Sequence, residues 1–134
     1  MKESVKKALA LKRIAVVGLS RDPAKAAHSV PRYLKDNGYE IIPVNPFGGS
    51  ELLGEKVYEN LNEVPKGIDL VLVFRPSEAA FPFIEAAAQR EDVKGVWLQD
   101  GIRSEEGKKL CREKGLIFVQ DECMYREHRK LKRG

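Results

Sequence analysis

Long apolar runs are missing from this chain of 134 residues. Ile14 to Leu19 is typical of its longest stretches, whereas a membrane-spanning helix needs about 18 consecutive apolar residues. No membrane association is expected. Cysteine is scarce: only Cys111 and Cys123 occur, too few for a disulfide framework. Histidine is as scarce, limited to His28 and His128. Cys111, Cys123 and His128 lack the close C-x-x-C pairing of structural zinc sites, so no metal is expected. Met1-Lys2-Glu3-Ser4-Val5-Lys6-Lys7 has no apolar segment behind it, so no secretory signal is expected. These absences leave a soluble, cytoplasmic chain as the expectation.

At 134 residues and 43% hydrophobic, the chain can bury one core, and one domain over 1–134 is expected. The net charge of +4 is unevenly placed. Residues 2–13 carry +4 and residues 126–134 carry +4, which leaves −4 for the middle. Both basic ends read as helical. Terminal basic tails of this kind can bind nucleic acid, but solvated ends are the more economical reading.

Along the chain, apolar β-branched runs alternate with helical patterns, without repeats or low-complexity segments. The runs at 13–18, 39–44, 68–74, 93–99 and 116–120 read as strands buried on both faces. Pro43 removes a ladder donor and places the second strand at an edge, or puts the proline at the strand's end. Helices are expected over 29–37, stopping at Gly38, and over 76–90. A third should start at the N-cap Ser104 and end at Gly115, and a basic one should start near Cys123. Residues 47–65 fit least well, with a short strand at 56–58 and a loose helix near 59–64. The alternation predicts an open, five-stranded, doubly wound α/β fold, mainly parallel, with helices on both faces.

Such folds bind ligands beyond the carboxyl ends of the strands, where strand order reverses. Five loops qualify: 18–21, 44–46, 74–76, 98–101 and 120–123. In the first, Gly18 permits a tight turn, Ser20 offers a hydroxyl, and the next helix would aim N–H groups at a phosphate. Arg21, Lys25 and His28 add positive charge there. The pattern Gly18-x-Ser20-x-x-Pro23 is not the dinucleotide fingerprint G-x-G-x-x-G. Asn45 stands where NAD enzymes usually place an acidic residue for the ribose, which argues against NAD and leaves NADP open on that count. The Gly49–Val57 stretch fails as a phosphate-binding loop, because its lysine is displaced and Glu51 and Glu55 would repel phosphate. No Gly-x-Ser-x-Gly elbow occurs, so a serine hydrolase is not expected. Cys123 lies just past a strand, where burial and ligand contact both remain open.

Four segments in order carry a resemblance: Ile14-Ala-Val-Val-Gly18-Leu-Ser20, Pro43-Val-Asn-Pro46, Val73-Phe-Arg75-Pro76 and Val96-Trp-Leu-Gln99-Asp-Gly101. Together they resemble the small CoA-binding proteins, which are similar to the CoA-binding domain of the succinyl-CoA synthetase alpha subunit. The resemblance spans about residues 5–130 and implies a Rossmann-like fold holding coenzyme A, free or acylated, across the carboxyl edge of the sheet. It implies that Gly18, Leu19, Ser20 and Arg21 form the phosphate-contacting turn, with Lys25 and His28 as further candidates. Val44 and Asn45 would lie near the adenosine, Phe74, Arg75 and Pro76 over the nucleotide, and Gln99 and Gly101 near the pantetheine arm. An extension of that reading has Cys123 exchange disulfides with the CoA thiol.

The synthetase's phosphorylated histidine and ATP-binding machinery lie outside this domain, so the resemblance does not carry ligase activity, and no catalytic residue is assigned. A stand-alone carrier, sensor or regulatory role follows from it. Two rivals remain: an NAD(P)-binding redox or sensing domain, and an interaction module without a small ligand. The acyl group, the protein partner and the oligomeric state are open, a homodimer being the commonest assembly.

Overall fold

The computed structural model describes residues 1–133. Five parallel strands form one sheet: β1 (Arg13–Val17), β2 (Glu40–Val44), β5 (Leu70–Val73), β6 (Gly95–Leu98) and β7 (Ile117–Val119). A separate antiparallel pair, β3 (Glu51–Leu52) and β4 (Glu55–Lys56), lies between β2 and β5 in sequence. The helices are α1 (Glu3–Leu9), α2 (Ala26–Asp36), α3 (Ser77–Ala88), α4 (Glu105–Lys114) and α5 (Met124–Arg133).

The strands are short β-branched and aliphatic runs, and in β5 and β6 every residue is buried. Alternation splits them between two cores. Ile14, Val16, Leu70, Leu72 and Trp97 face α1, α2 and α5, while Ala15, Val17, Val71, Val73 and Val96 face α3 and α4. Each fully buried aliphatic side chain contributes about 1.5–3 kcal/mol. Trp97 is fully buried with its polar atom satisfied, its indole N–H donating to the Glu122 carbonyl at 2.8 Å.

The strand order is β2-β1-β5-β6-β7. The chain therefore moves outward from β1 to β2, then returns to the other side of β1 with β5. The order reverses between β1 and β5, and this places the crevice between the loops that follow those two strands.

Five local outcomes bear on the expectations. Pro43 does lie in an edge strand, with its carbonyl turned outward to accept from Tyr58 N–H at 3.0 Å. Its missing donor faces away from β1, so the ladder with β1 is not broken. Helix α2 starts earlier than expected, because the N–H groups of His28 and Ser29 both bond the Lys25 carbonyl and close a first turn before the apolar spacing begins. The short strand expected at 56–58 is β4 followed by a lone parallel bridge from Tyr58 to Val44. The loose helix is one 3-10 turn, Leu61–Glu63. Ser104 caps α4 by accepting from Gly107 N–H, and Gly115 closes it at φ 71. No helix among the described residues is long and apolar enough to cross a membrane.

Candidate functional site

Gly18 sits in the crevice between the loops that follow β1 and β5. Its φ is +87, and a Cβ there would lie 3.3 Å from Arg75 Cδ and 3.4 Å from the Phe74 carbonyl. Any other residue would be strained by that backbone, and its Cβ would crowd the Arg75 side chain. Backbone bonds fix the approach: Gly18 N–H donates to the Val44 carbonyl and Phe74 N–H to the Val17 carbonyl, both at 2.9 Å.

The turn after Gly18 folds back on α2. Pro31, inside α2, has no N–H to offer the Ala27 carbonyl one turn earlier. Ser20 N–H takes that carbonyl instead, at 3.0 Å. His28 Nδ1 lies 2.7 Å from the Ser20 carbonyl and must donate its proton there, leaving Nε2 outward. Ser20 Oγ accepts from Asp22 N–H at 3.0 Å, so its hydroxyl hydrogen stays available. The amides of Gly18 and Ser20 are thus committed within the protein. At the start of α2 the N–H groups of Ala26 and Ala27 are left for an anion, since those of His28 and Ser29 bond the Lys25 carbonyl and the N-cap Lys25 supplies no side-chain cap.

Asn45 and Arg21 tie this turn to the loop after β2. Asn45 Nδ2 donates to the Leu19 carbonyl at 2.9 Å, and its Oδ1 accepts from Phe47 N–H at 2.8 Å. Arg21 donates to the Gly48 carbonyl at 2.5 Å. Both side chains hold loops in place. Arg75 and Lys25 are exposed and form no ion pair among the described residues.

Gly18, Val44, Asn45 and Arg75 line one small cavity of about 80 Å3, together with Val17, Pro46, Phe47, Glu59 and Phe83. Leu19 is fully buried beneath the turn, while Phe74 is half-buried and Pro76 exposed beside Arg75. The remaining candidates lie further along the edge. Gln99 is 4% exposed and its Oε1 accepts from Met124 N–H at 3.2 Å, holding the start of α5. Gly101 is exposed, and its N–H donates to Asp121 Oδ1 at 2.7 Å. Cys123 is 8% exposed and packs in the core with Val119 and Met124. Neither histidine is poised as a base for Cys123: His28 is held by Ser20, and His128 Nδ1 lies 2.6 Å from the Tyr33 hydroxyl. A wider depression of about 310 Å3 near β7 is lined by Lys2, Arg103, Lys108 and Asp121, but Arg103 and Asp121 already pair at 3.1 Å.

Residues 12–129 match the CoA binding domain family. The chain belongs to that family. This CoA-binding domain is 42% identical to the uncharacterized protein YneT of Bacillus subtilis, covering 87% of this chain and 85% of that one. It is 33% identical to the alpha subunit of an ADP-forming acetate–CoA ligase of Pyrococcus furiosus, over 79% of this chain but only 23% of the subunit. A solved Thermus thermophilus structure superposes with a TM-score of 0.88 at 39% identity, covering 98% of this chain and 99% of the other. Family membership ties the domain to coenzyme A, and the parallel doubly wound fold agrees with the expectation.

Sequence reasoning missed Phe47, Glu59 and Phe83. Phe47 did leave a signal, as an aromatic ring among the turn-forming residues that follow Pro46. Glu59 and Phe83 left none, since only the Tyr58–Val44 bridge and the packing of α3 bring them to the crevice.

Proposed function

We propose that the chain binds coenzyme A, free or acylated, along the carboxyl edge of its sheet and acts as a carrier or sensor of that thiol. The observation that carries this reading is the set of uncommitted groups at the switch point. Arg75 in the loop after β5, and the Ser20 hydroxyl, the Lys25 side chain and the Ala26 and Ala27 N–H groups in the connection from β1 into α2, donate to no protein group among the described residues, whereas Arg21 and Asn45 are already bonded. Several donors on one side suit the phosphates of coenzyme A, whose combined charge a single cation would not balance. The adenosine lies toward the loop after β2. The pantetheine arm runs across β5 toward Gln99 and Gly101, with the thiol end outside the core that holds Cys123.

A thermal-shift and calorimetry panel of CoA, acetyl-CoA, NAD, NADP and ATP tests the reading. At a hundredfold excess over its dissociation constant, CoA or acetyl-CoA stabilises the fold by about 2.7 kcal/mol, a rise of roughly 10 °C in Tm. No shift with either, or a larger one with a nicotinamide dinucleotide, overturns it.

A further inference from the structure

Along the chain the two basic ends read as separate, solvated tails, but packing joins them. Helix α1 lies against α5, and α5 lies against α2. Lys6 and Lys7 of α1, Lys12 after it, and Arg129, Lys132 and Arg133 of α5 are all exposed, and none forms an ion pair among the described residues. Acidic side chains do not offset them. Helices α1 and α5 contain only Glu3 and Glu127, and Glu127 is buried and bound by Lys130 at 2.9 Å. Last-turn cations answer the helix dipole, but Lys12 and Arg129 lie outside those turns.

The seam between α2 and α5 adds rings to that charge. Tyr125, Arg129 and Lys132 follow one another at spacings of four and three residues, so they form one stripe along α5. The stripe borders α2: Tyr33 meets Tyr125 edge-on with centroids 4.6 Å apart, and Lys132 Nζ donates to Asn37 Oδ1 at 3.3 Å. Arg129 lies 5.6 Å from the centroid of the Tyr125 ring and donates to its hydroxyl at 2.8 Å. Both tyrosines are half-buried rather than enclosed. Rings and cations alternating along a seam suit a single strand of nucleic acid, whose phosphates take the cations and whose bases stack on aromatic faces in any sequence. A membrane surface would need an apolar face to insert, and at these two ends only Met1 and Leu131 are exposed large apolar side chains.

We propose that the α2–α5 seam and the adjoining face of α1 bind single-stranded nucleic acid without sequence preference, the cations holding phosphates and Tyr125 stacking on a base. Lys12 precedes β1 and Gly18 follows it, so the surface leads away from the crevice to the opposite edge of the sheet. The inference does not rest on the coenzyme A reading.

The test is fluorescence anisotropy of the full chain with labelled oligothymidylate and oligouridylate of about 20 nucleotides and a duplex of about 20 base pairs, with co-sedimentation on phosphatidylserine vesicles alongside. The chain binds one or both single strands, and binds them more tightly than the duplex. Log affinity falls against log salt with a slope of about −3, from about four phosphates at about 0.7 each. Arg129→Gln combined with Lys132→Gln flattens that slope by about 1.4. Tyr125→Leu weakens the strand by about fivefold or more at an unchanged slope, while Tyr125→Phe, which keeps the ring, binds within about twofold of the wild type. Each variant is read well below its own Tm. Saturating CoA leaves the strand bound. No binding at about 50 mM salt, equal affinity for the duplex, binding to the vesicles alone, or a Tyr125→Leu variant that binds like the wild type overturns the inference. So does displacement by CoA, which would put the strand in the crevice beside Gly18.

Discussion

An arginine beside a polyanion acts through whichever of its N–H donors are still free. Arg21 and Arg75 stand in neighbouring loops, but Arg21 already donates to the Gly48 carbonyl, whereas Arg75 has no ion-pair partner among the described residues. Arg75→Ala therefore weakens CoA by about 10–100-fold, the value of a charged hydrogen bond of about 1.5–3 kcal/mol, and leaves the Tm unchanged. Ser20→Ala removes one neutral donor and the acceptor for Asp22 N–H, and weakens CoA by about fivefold. Calorimetry on both variants checks this pair; unchanged affinity in both removes the assignment of the site. Asn45 behaves differently. Its amide joins Leu19 to Phe47, so Asn45→Ala lowers stability by about 1–2 kcal/mol even without ligand, read as a lower urea midpoint. Residue type alone did not separate these roles. Arg21, Asn45 and Arg75 all read as ligand contacts along the chain, and only the cross-loop bonds show which of them are already engaged.

Elements were legible where local signals were long or chemically specific. The β-branched strand runs, the Ser104 cap and Gly115 all place their elements within a residue or two, because each acts through the backbone at that position. Residues 47–65 were hard to read because their two-residue strands and single 3-10 turn are held by contacts with β2 and α3 rather than by periodicity. The packing of α3 on α4 was equally silent. Gly107 lies where an added Cβ would come within 2.5 Å of Ile84 Cδ1 and 3.0 Å of Ser104 Oγ. Ile84 is fully buried and cannot swing aside. Alanine there gains up to about 1 kcal/mol of helix propensity, and overpacking costs typically about 1–3 kcal/mol. Gly107→Ala is therefore destabilising by about 1 kcal/mol net, seen as a lower Tm. An unchanged or raised Tm would show that α3 and α4 can separate freely. Ser104→Ala loses the cap and costs about 1 kcal/mol.

For the whole molecule, the two basic ends are not independent tails. Helices α1 and α5 pack on one another and on the same face of the sheet as α2, so residues far apart in sequence build one basic surface. Among those cations lies His128, 7% exposed and edge-on to Tyr33 and Tyr39. Burial, then Lys12 and Lys132, hold its pKa below the usual 6.5. The folded state resists the proton that the unfolded chain accepts, so stability falls as pH drops through about 6.5. A second loss begins lower. Hydrogen bonds from Arg90, Gly67 and Ile68 pull the Asp92 carboxyl well below its ordinary 3.8, so its contribution is present above that value and fades as pH falls beneath it. The two limbs can be separated by urea titration. Between pH 7.5 and 5.5 the wild-type midpoint declines, while His128→Gln, which keeps a polar partner for the Tyr33 hydroxyl but cannot titrate, stays nearly flat. Below pH 4 both proteins lose stability together through Asp92. Parallel declines above pH 5.5 would place the titrating group elsewhere, and a level wild-type curve there would mean that α5 lifts away to let His128 take its proton in water.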